Sequence, residues 1–560
     1  MDSSPSIKQK HESQANWAEP PAASSSIRLE VEGDGHDHSN DEPIYFTGAR
    51  FYLLWASLII SLFLANIEIP IVTTSIVTIT DDLGGFDRAS WITSAYLLGF
   101  VGVLIVWSKL SDIFGRKLLY GISLALFIIF SAACGAAQTL TQLIIFRAFQ
   151  GIGGGGSFAV CNVIGFELVP EAKYAAITGF VAFVYAISLI IGPLVGGAIS
   201  KSSQWRWVFL LNVPAAIPAL LILLFYLPNN FPHHGKPNYR NQTYKNMFST
   251  KNLARVDIVG VIFIWLGVMA LVAGLEEAGI LHEWDAPFVI AMLVIGGILC
   301  LSFLAWEWYV TQRLSTTEPV FPWRFATSRV MLGLFLCALS QGIPWIGALF
   351  QLPQKFQTVH AQSPIASGVK TIPFTGAAPI ASITTAIIAK KGVPPIYLVL
   401  FASILQVIGF ALLATLPLSS TISKAQYGYQ VIAGFGCGTN SSLLILMAPL
   451  SVRQQKDKSV AIGGFNQFRF MGGAIGLAII STAMTGFIRP RLSDILAPSQ
   501  VDLVLKSAEA LKTLGKIQRN QAVAILADGY NLQFKILAGL SGLQIIGAGM
   551  MWQKNQIKAT

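Results

Sequence analysis

The sequence predicts an all-α integral membrane protein with fourteen transmembrane helices. Three observations carry that reading. Of the 560 residues 53% are hydrophobic and 12% charged, at a mean hydropathy of +0.60, whereas soluble domains carry about 25% charged residues. Apolar runs long enough to cross hydrocarbon, about 20 residues each, recur along the chain. Lys and Arg gather in alternate gaps between those runs, as they do in cytoplasmic loops.

The first 43 residues hold nine acids and three bases, net −6, which leaves +16 on the rest of a chain of total charge +10. With few large apolar residues, 1–45 reads as a disordered acidic cytoplasmic tail. No secretory signal is expected, because the first apolar run follows a long polar stretch. His36-Asp37-His38 could hold a metal weakly, but a solvated polar segment is the simpler reading, and no metal site is expected.

Spans follow near 51–72, 91–110, 118–138, 142–164, 177–198, 207–227, 258–278, 288–308, 331–351, 367–388, 396–416, 428–449, 464–486 and 533–552. With the N-terminus inside, seventeen bases fall on the inner side, including Lys109, Arg116, Lys117, Lys236, Arg240, Arg255, Lys390 and Arg453. Six fall in short outer loops: Arg88, Lys201, Arg206, Lys355, Lys370 and Lys424. Both termini, including 553–560, are therefore expected in the cytoplasm, with 228–257 as a long cytoplasmic loop. The gap 487–532 is external on this count, although it carries six bases from Arg489 to Arg519. Within it Val501, Val504, Leu505, Ala508, Leu511 and Leu514 recur at helical spacing. An amphipathic helix is expected there, either docked as an extracellular lid or lying in the interface.

Two sequons, at Asn241 and Asn440, fall in an inner loop and a span, so neither should be glycosylated. Five cysteines at irregular spacing inside apolar stretches offer no disulfide framework or zinc motif.

Charges inside spans are costly, about 2.5–3.5 kcal/mol on insertion scales, and mark function by default. The first span holds Glu68, and the fourth holds Arg147 with Gln150 on the same helical face and Gly151 beside it. The thirteenth holds Arg469, three residues after Asn466. Burial and a neighbouring base act in opposite senses on a carboxyl, so Glu68 is suited to take up and release a proton. Arg147 serves either that exchange or helix packing alone. Between the second and third spans, Asp112, Gly115, Arg116 and Lys117 form a tight turn with an acid beside two bases, a charge cluster suited to gating. In the fifth span Gly179, Ser188, Gly192, Pro193, Gly196 and Gly197 place small residues four apart around a proline. Such a stripe lets helices approach closely and bends the span.

These stretches resemble the major facilitator superfamily, and within it the fourteen-span drug:H+ antiporter family, over essentially residues 45–555. Asp112, Gly115, Arg116 and Lys117 match the family's inner-loop pattern, with Ser108 and Ile113 departing from it. Arg147, Gln150 and Gly151 match a fourth-helix motif associated with proton coupling, and the fifth-span stripe, with Ser188 for a Gly, is similar to the motif that marks exporters. Glu68 and Pro70 stand where the family usually has Asp and Thr. Trp205 to Pro214, Asn466 to Gly476, and Leu352 to Gln357 with Lys355 replacing an aromatic extend the likeness. The resemblance implies two six-helix halves, 46–227 and 327–552, with 258–308 as an inserted pair. Ala389-Lys390-Lys391-Gly392 sits where a degenerate second inner loop would fall.

No Gly-x4-Gly-Lys-Ser/Thr phosphate loop occurs, so ATP-driven pumping is unsupported. An ion gradient is the remaining energy source, at about 2.3 kcal/mol per charge per 100 mV. An integral-membrane enzyme is the contrasting class; none of the seven His lies in a predicted span, and no enzymatic activity is expected. The resemblance implies proton-coupled efflux of a drug, toxin or secondary metabolite, as in fungal members. A proton-coupled importer, for siderophores for instance, and a vacuolar transporter of basic amino acids are the alternatives. Gln150, Gln341, Trp345, Gln351, Asn440, Asn466 and Arg469 are expected to line a cavity between the halves, and so few charges favour a neutral or weakly charged cargo. The expected partners are the lipid bilayer, a proton gradient and a small-molecule substrate, with no nucleic acid and no cofactor. A monomer in the plasma membrane, or alternatively the vacuolar membrane, is expected.

Overall fold

The computed structural model describes residues 45–84, 88, 91–201, 204–234, 249–278, 284–313, 316–418, 421–452, 454–506, 511 and 513–558. The helices of the first half are α1 (Gly48–Thr73), α2 (Ile76–Leu83), α3 (Trp91–Gly102), α4 (Leu104–Phe114), α5 (Arg116–Ala136), α6 (Leu140–Glu167), α7 (Tyr174–Lys201), α8 (Trp207–Leu210) and α9 (Asn212–Tyr226). Short α10 (Thr250–Leu253) precedes the long pair α11 (Ile258–Glu277) and α12 (Pro287–Arg313). The second half comprises α13 (Trp323–Thr327), α14 (Arg329–Thr358), α15 (Pro364–Lys390), α16 (Pro395–Leu413), α17 (Ala425–Leu450), α18 (Lys458–Ser493), α19 (Pro498–Lys506), α20 (Lys516–Ser541) and α21 (Leu543–Met551). Among the described residues thirteen helices are long and apolar enough to cross a membrane, and α3 with α4, bent by 44° at Val103, brings the number to fourteen if the pair is one span. An even number brings the chain back to the face on which α1 starts, here called basal.

In lipid, apolar surface gives little drive for helices to associate, so packing and small residues hold them. The two bundles meet where α7 lies against α15 and α4 against α18. Of the inserted pair, α11 packs on α3 and α18, beside the seam, and α12 packs on α11. The outer helix accordingly exposes apolar side chains such as Ile298 and Leu301.

Four features differ from the sequence reading. The interval 487–532 is mostly helix: α18 continues to Ser493 and α20 starts at Lys516, because hydropathy detects only the apolar middle of a helix that projects beyond it. Between them, α19 buries Val501 and Val504, and together with Leu511 and Leu514 they pack on Leu492, Leu496 and Leu526. Lys355 lies inside α14 rather than in a loop, and is buried, with its Nζ 3.0 Å from Asn531 Oδ1 and 5.2 Å from the centre of the Phe534 ring. Lys370 lies inside α15.

The fourth difference is Glu307, an intramembrane carboxyl group that the sequence reading passed over: it is fully buried in α12, where its Oε1 accepts from the Phe321 amide at 3.1 Å. Asn440 is buried in α17, and the five cysteines are unpaired. Asn241, Lys236, Arg240, Arg453, Ala508 and the segment containing His36 and His38 lie outside the described residues.

Candidate functional site

Glu68 projects from α1 into the interior of the first bundle, where it is fully buried. Two helices supply donors to it and a third braces one of them. From α6, Arg147 Nη1 lies 2.5 Å from Glu68 Oε1, and Gln150 Nε2 donates to the same oxygen at 3.0 Å. At the start of α9, Asn212 Nδ2 donates to Oε2 at 2.7 Å. Ser131 of α5 accepts a second Gln150 amide hydrogen at 2.8 Å.

Arg147 is equally buried, and its remaining contacts are specific. Nε donates to the Ile92 carbonyl at 2.8 Å and Nη1 also to Gln150 Oε1 at 2.9 Å. Its guanidinium lies over the Tyr96 ring, 4.4 Å from the centroid, with the Phe209 ring at 5.6 Å. An acid and a base of opposite charge thus neutralise each other in a site closed to solvent. The Glu68 carboxyl accepts from three donors, and protonating it would remove the charge that holds Arg147. Of the site residues, sequence reasoning missed Asn212, which lies within the Trp205 to Pro214 stretch that extends the family likeness; its signal is an amide three residues after Phe209, among hydrocarbon side chains.

At the basal ends a second cluster forms. Gly115 has φ +94° and makes the turn from α4 to α5, a conformation that disfavours a side chain. Arg116 then pairs with Asp112 at 2.5 Å and clasps Glu167 through two bonds of 2.7 and 2.9 Å. Asp112 also accepts from Ser459 in the first turn of α18, where the helix dipole favours an anion. Lys458 pairs with Glu171 at 2.6 Å. Lys109 of α4 pairs with Glu318 at 2.6 Å, and Arg255 joins the same carboxylate at 2.8 Å. Asp112 and Glu171 therefore bind the first half to the second, and Lys109 binds it to the segment after the inserted pair. Lys117 is half-buried and makes no ion pair in this cluster.

The α7 stripe divides its contacts between two helices. Ser188 Oγ donates to Val184 O at 2.8 Å and approaches Phe63 O of α1 at 3.3 Å. A Cβ on Gly192 would come 2.7 Å from Pro70 Cγ, and one on Gly196 would overlap the Ile71 carbonyl. Gly179 faces Ile383 of α15 at ordinary contact distance, and Gly197 faces open space. The stripe thus packs on the turn of α1 that follows Glu68.

A cavity of about 280 Å³ lies between the halves, lined from α1, α7, α14, α15 and α18. It extends from Tyr185 and Arg469 towards Thr74, Gln357 and Ile365 at the ends of helices remote from the basal face. Ile69 and Pro70, the two residues after Glu68, are part of its wall. Of the expected lining residues, Trp345 and Arg469 border it.

The others do not border it. Gln150 belongs to the Glu68 site, Gln341 Nε2 points to Cys437 O at 3.5 Å, and Gln351 is buried. Asn440 donates to Ser403 at 2.9 Å and Gln544 at 2.6 Å, while Asn466 donates to its own helix at Ile462 O, 3.1 Å away. Helix rotation, which composition does not encode, separates the two sets. Asn66, Tyr185, Gln354 and Gln357 are polar wall residues that sequence reasoning missed.

Comparison with known proteins agrees with this architecture. The model of the Major Facilitator Superfamily matches residues 56–477. The MFS-type transporter FPY5 of Fusarium mangiferae is 35% identical over 532 residues, covering 95% of this chain and 88% of that one. The MFS-type efflux pump LUC4 of a Fusarium species is 28% identical, covering 89% and 87% respectively. The crystal structure of the human organic anion transporter MFSD10 superposes with a TM-score of 0.54 over 90% of this chain and 100% of that one; at 13% identity this likeness concerns the fold alone. Helix order, the paired halves and a family match across three quarters of its length together place this chain in the major facilitator superfamily.

Proposed function

We propose that the chain is a proton-coupled antiporter that exports an amphipathic small molecule. The observation that carries the proposal is the adjacency of an enclosed Glu68–Arg147 pair and the central cavity, joined through Ile69 and Pro70 on one turn of α1. Relatives named as efflux pumps support the direction. The excess of bases on the basal side supports a cytoplasmic reading of that face, and we take the membrane to be the plasma membrane, with the vacuolar membrane as the alternative. The basal ion pairs are then a closed inner gate, and the cavity faces outward.

A cycle follows from the chemistry. A proton reaching Glu68 from outside neutralises the carboxylate and frees Arg147, altering the α1 turn on which α7 packs. The halves rock, the gate at Asp112, Arg116 and Ser459 opens, and cargo enters as the proton leaves inward. The 1–45 tail stays cytoplasmic, and the segment around α19 caps the outer side.

Purified protein in liposomes under an imposed pH gradient tests this. Gradient-driven movement of a neutral amphiphile by the wild type and none by Glu68→Gln, at equal incorporation, is expected. Full gradient dependence in Glu68→Gln would refute the assignment.

A further inference from the structure

Among the described residues the cavity wall holds one charged side chain, and no carboxylate answers it. Arg469 is the only ionised side chain among its lining residues; the polar remainder, such as Asn66, Gln354 and Thr371, is neutral. Arg469 is 5% exposed, and among the described residues no carboxylate lies within ion-pair distance of it. Its Nη1 donates to Ser441 Oγ at 3.0 Å. Aromatic rings flank the guanidinium: Phe470 at 5.0 Å, Tyr185 at 5.6 Å and Phe465 at 5.9 Å from centroid to Cζ. A guanidinium offers five donors, and rings satisfy its faces rather than its edge.

A tyrosine hydroxyl is beside it. The Tyr185 hydroxyl is buried on the cavity wall, where it falls short of hydrogen-bond geometry to its neighbours but lies close enough to interact with Asn162 and Arg469. Arg147 shows what the same residue type looks like when its charge is answered within the protein, because Glu68 meets it at 2.5 Å. A buried cation without a carboxylate partner and a hydroxyl beside it, on a wall shared with apolar Trp345, Leu189 and Ile346, are complementary to a molecule with an anionic end and an apolar body.

We infer that Arg469 and Tyr185 form an anion-binding subsite and that the cargo class is amphipathic organic acids, carried as carboxylates. This rests on the export reading above and narrows the neutral or weakly charged cargo expected from sequence. Arg469 receives the carboxylate, Tyr185 donates to it, and Trp345 packs on the apolar body.

Calorimetric binding of 1-naphthaleneacetate and 1-naphthaleneacetamide to the full chain in phosphatidylcholine nanodiscs tests the inference, since the two probes differ chiefly in charge. The acetate should bind about tenfold or more tightly than the amide. Arg469→Gln should bring that ratio close to one, Arg469→Lys should retain part of it, and Tyr185→Phe should lower it. Unchanged monodispersity and unfolding midpoint show that each variant is folded. Equal affinities, no measurable acetate binding, or a ratio that survives Arg469→Gln would overturn the subsite. Competition by phosphatidylglycerol added to the nanodiscs would assign the site to a lipid headgroup and overturn the cargo class, whereas unchanged acetate affinity supports it. Transport separates this from the broader reading. Gradient-driven movement of the amide without acetate preference defeats the subsite alone; selective acetate binding with no gradient-driven movement of either probe defeats antiport alone.

Discussion

Glu68 and Arg147 meet at 2.5 Å with both side chains fully buried, and Gln150 and Asn212 donate to the two carboxylate oxygens in turn. Removing one member leaves the other charged in a site without solvent, a cost of about 3–5 kcal/mol. Removing both charges leaves amides that still bond. Glu68→Gln should therefore lower the unfolding midpoint in detergent, and Glu68→Gln with Arg147→Gln should recover most of the loss. Neither variant should couple transport to a pH gradient, because the exchangeable carboxyl is gone. A double variant as unstable as the single would show that the pair is not the dominant contact, and gradient-coupled transport by it would remove Glu68 from the mechanism.

Adjacent glycines in α7 make opposite predictions. A Cβ on Gly196 overlaps the Ile71 carbonyl of α1, whereas one on Gly197 meets nothing within 4 Å. Gly196→Ala should destabilise by about 1–3 kcal/mol through overpacking. Gly197→Ala should be neutral or stabilise by about 0.5–1 kcal/mol, since alanine suits a helix interior better. Thermal unfolding of the two purified variants checks the order, and equal midpoints would show that the α1–α7 contact yields freely.

The link between α4 and the segment after the inserted pair should depend on pH. Burial works against ionisation of Glu318, but Lys109 at 2.6 Å and Arg255 at 2.8 Å outweigh it and hold the carboxyl below its ordinary 4.5. A folded value below the unfolded one means that the contribution is complete above pH 4.5 and disappears as pH falls through the lower value. The stability difference between wild type and Glu318→Gln should therefore be constant from neutral pH down to that point and shrink below it. A difference that grew on acidification would contradict the ion pair.

The fourteen crossings and the Glu68–Arg147 encounter were legible because each leaves a local mark: an apolar run, or a charge where hydrocarbon should exclude one. Glu307 carries the same mark but lies near a span end, where it reads as a boundary residue; only the return of Phe321 over α12 shows it enclosed. The cavity wall was less legible. Asn440 and Tyr185 are both polar residues in apolar helices, yet one is bonded to Ser403 and Gln544 while the other faces the cavity. That difference is set by the rotation of α17 and α7, and rotation depends on neighbours distant in sequence. Lys355 was misplaced for a related reason, since a charge at the end of an apolar run resembles a loop until its partner on α20 is known.

That partner gives a prediction with an order to it. Lys355 is 2% exposed, with Asn531 Oδ1 at 3.0 Å from Nζ and the Phe534 ring at 5.2 Å; Asn531 Nδ2 in turn donates to Leu416 O at 2.7 Å. Lys355→Met removes a charge that is costly to bury and retains the stem's packing, so its loss is a hydrogen bond offset by relief of desolvation, a net change of about 1 kcal/mol or less. Asn531→Leu removes the acceptor and leaves both the ammonium and the Leu416 carbonyl unanswered, which should cost about 3 kcal/mol or more. In Asn531→Leu with Lys355→Met the orphaned cation is absent, so the second substitution should restore part of what the first removes. Unfolding midpoints of the three proteins measure the cycle; a Lys355→Met loss exceeding that of Asn531→Leu would mean that the cation itself, rather than its satisfaction, holds α14 to α20.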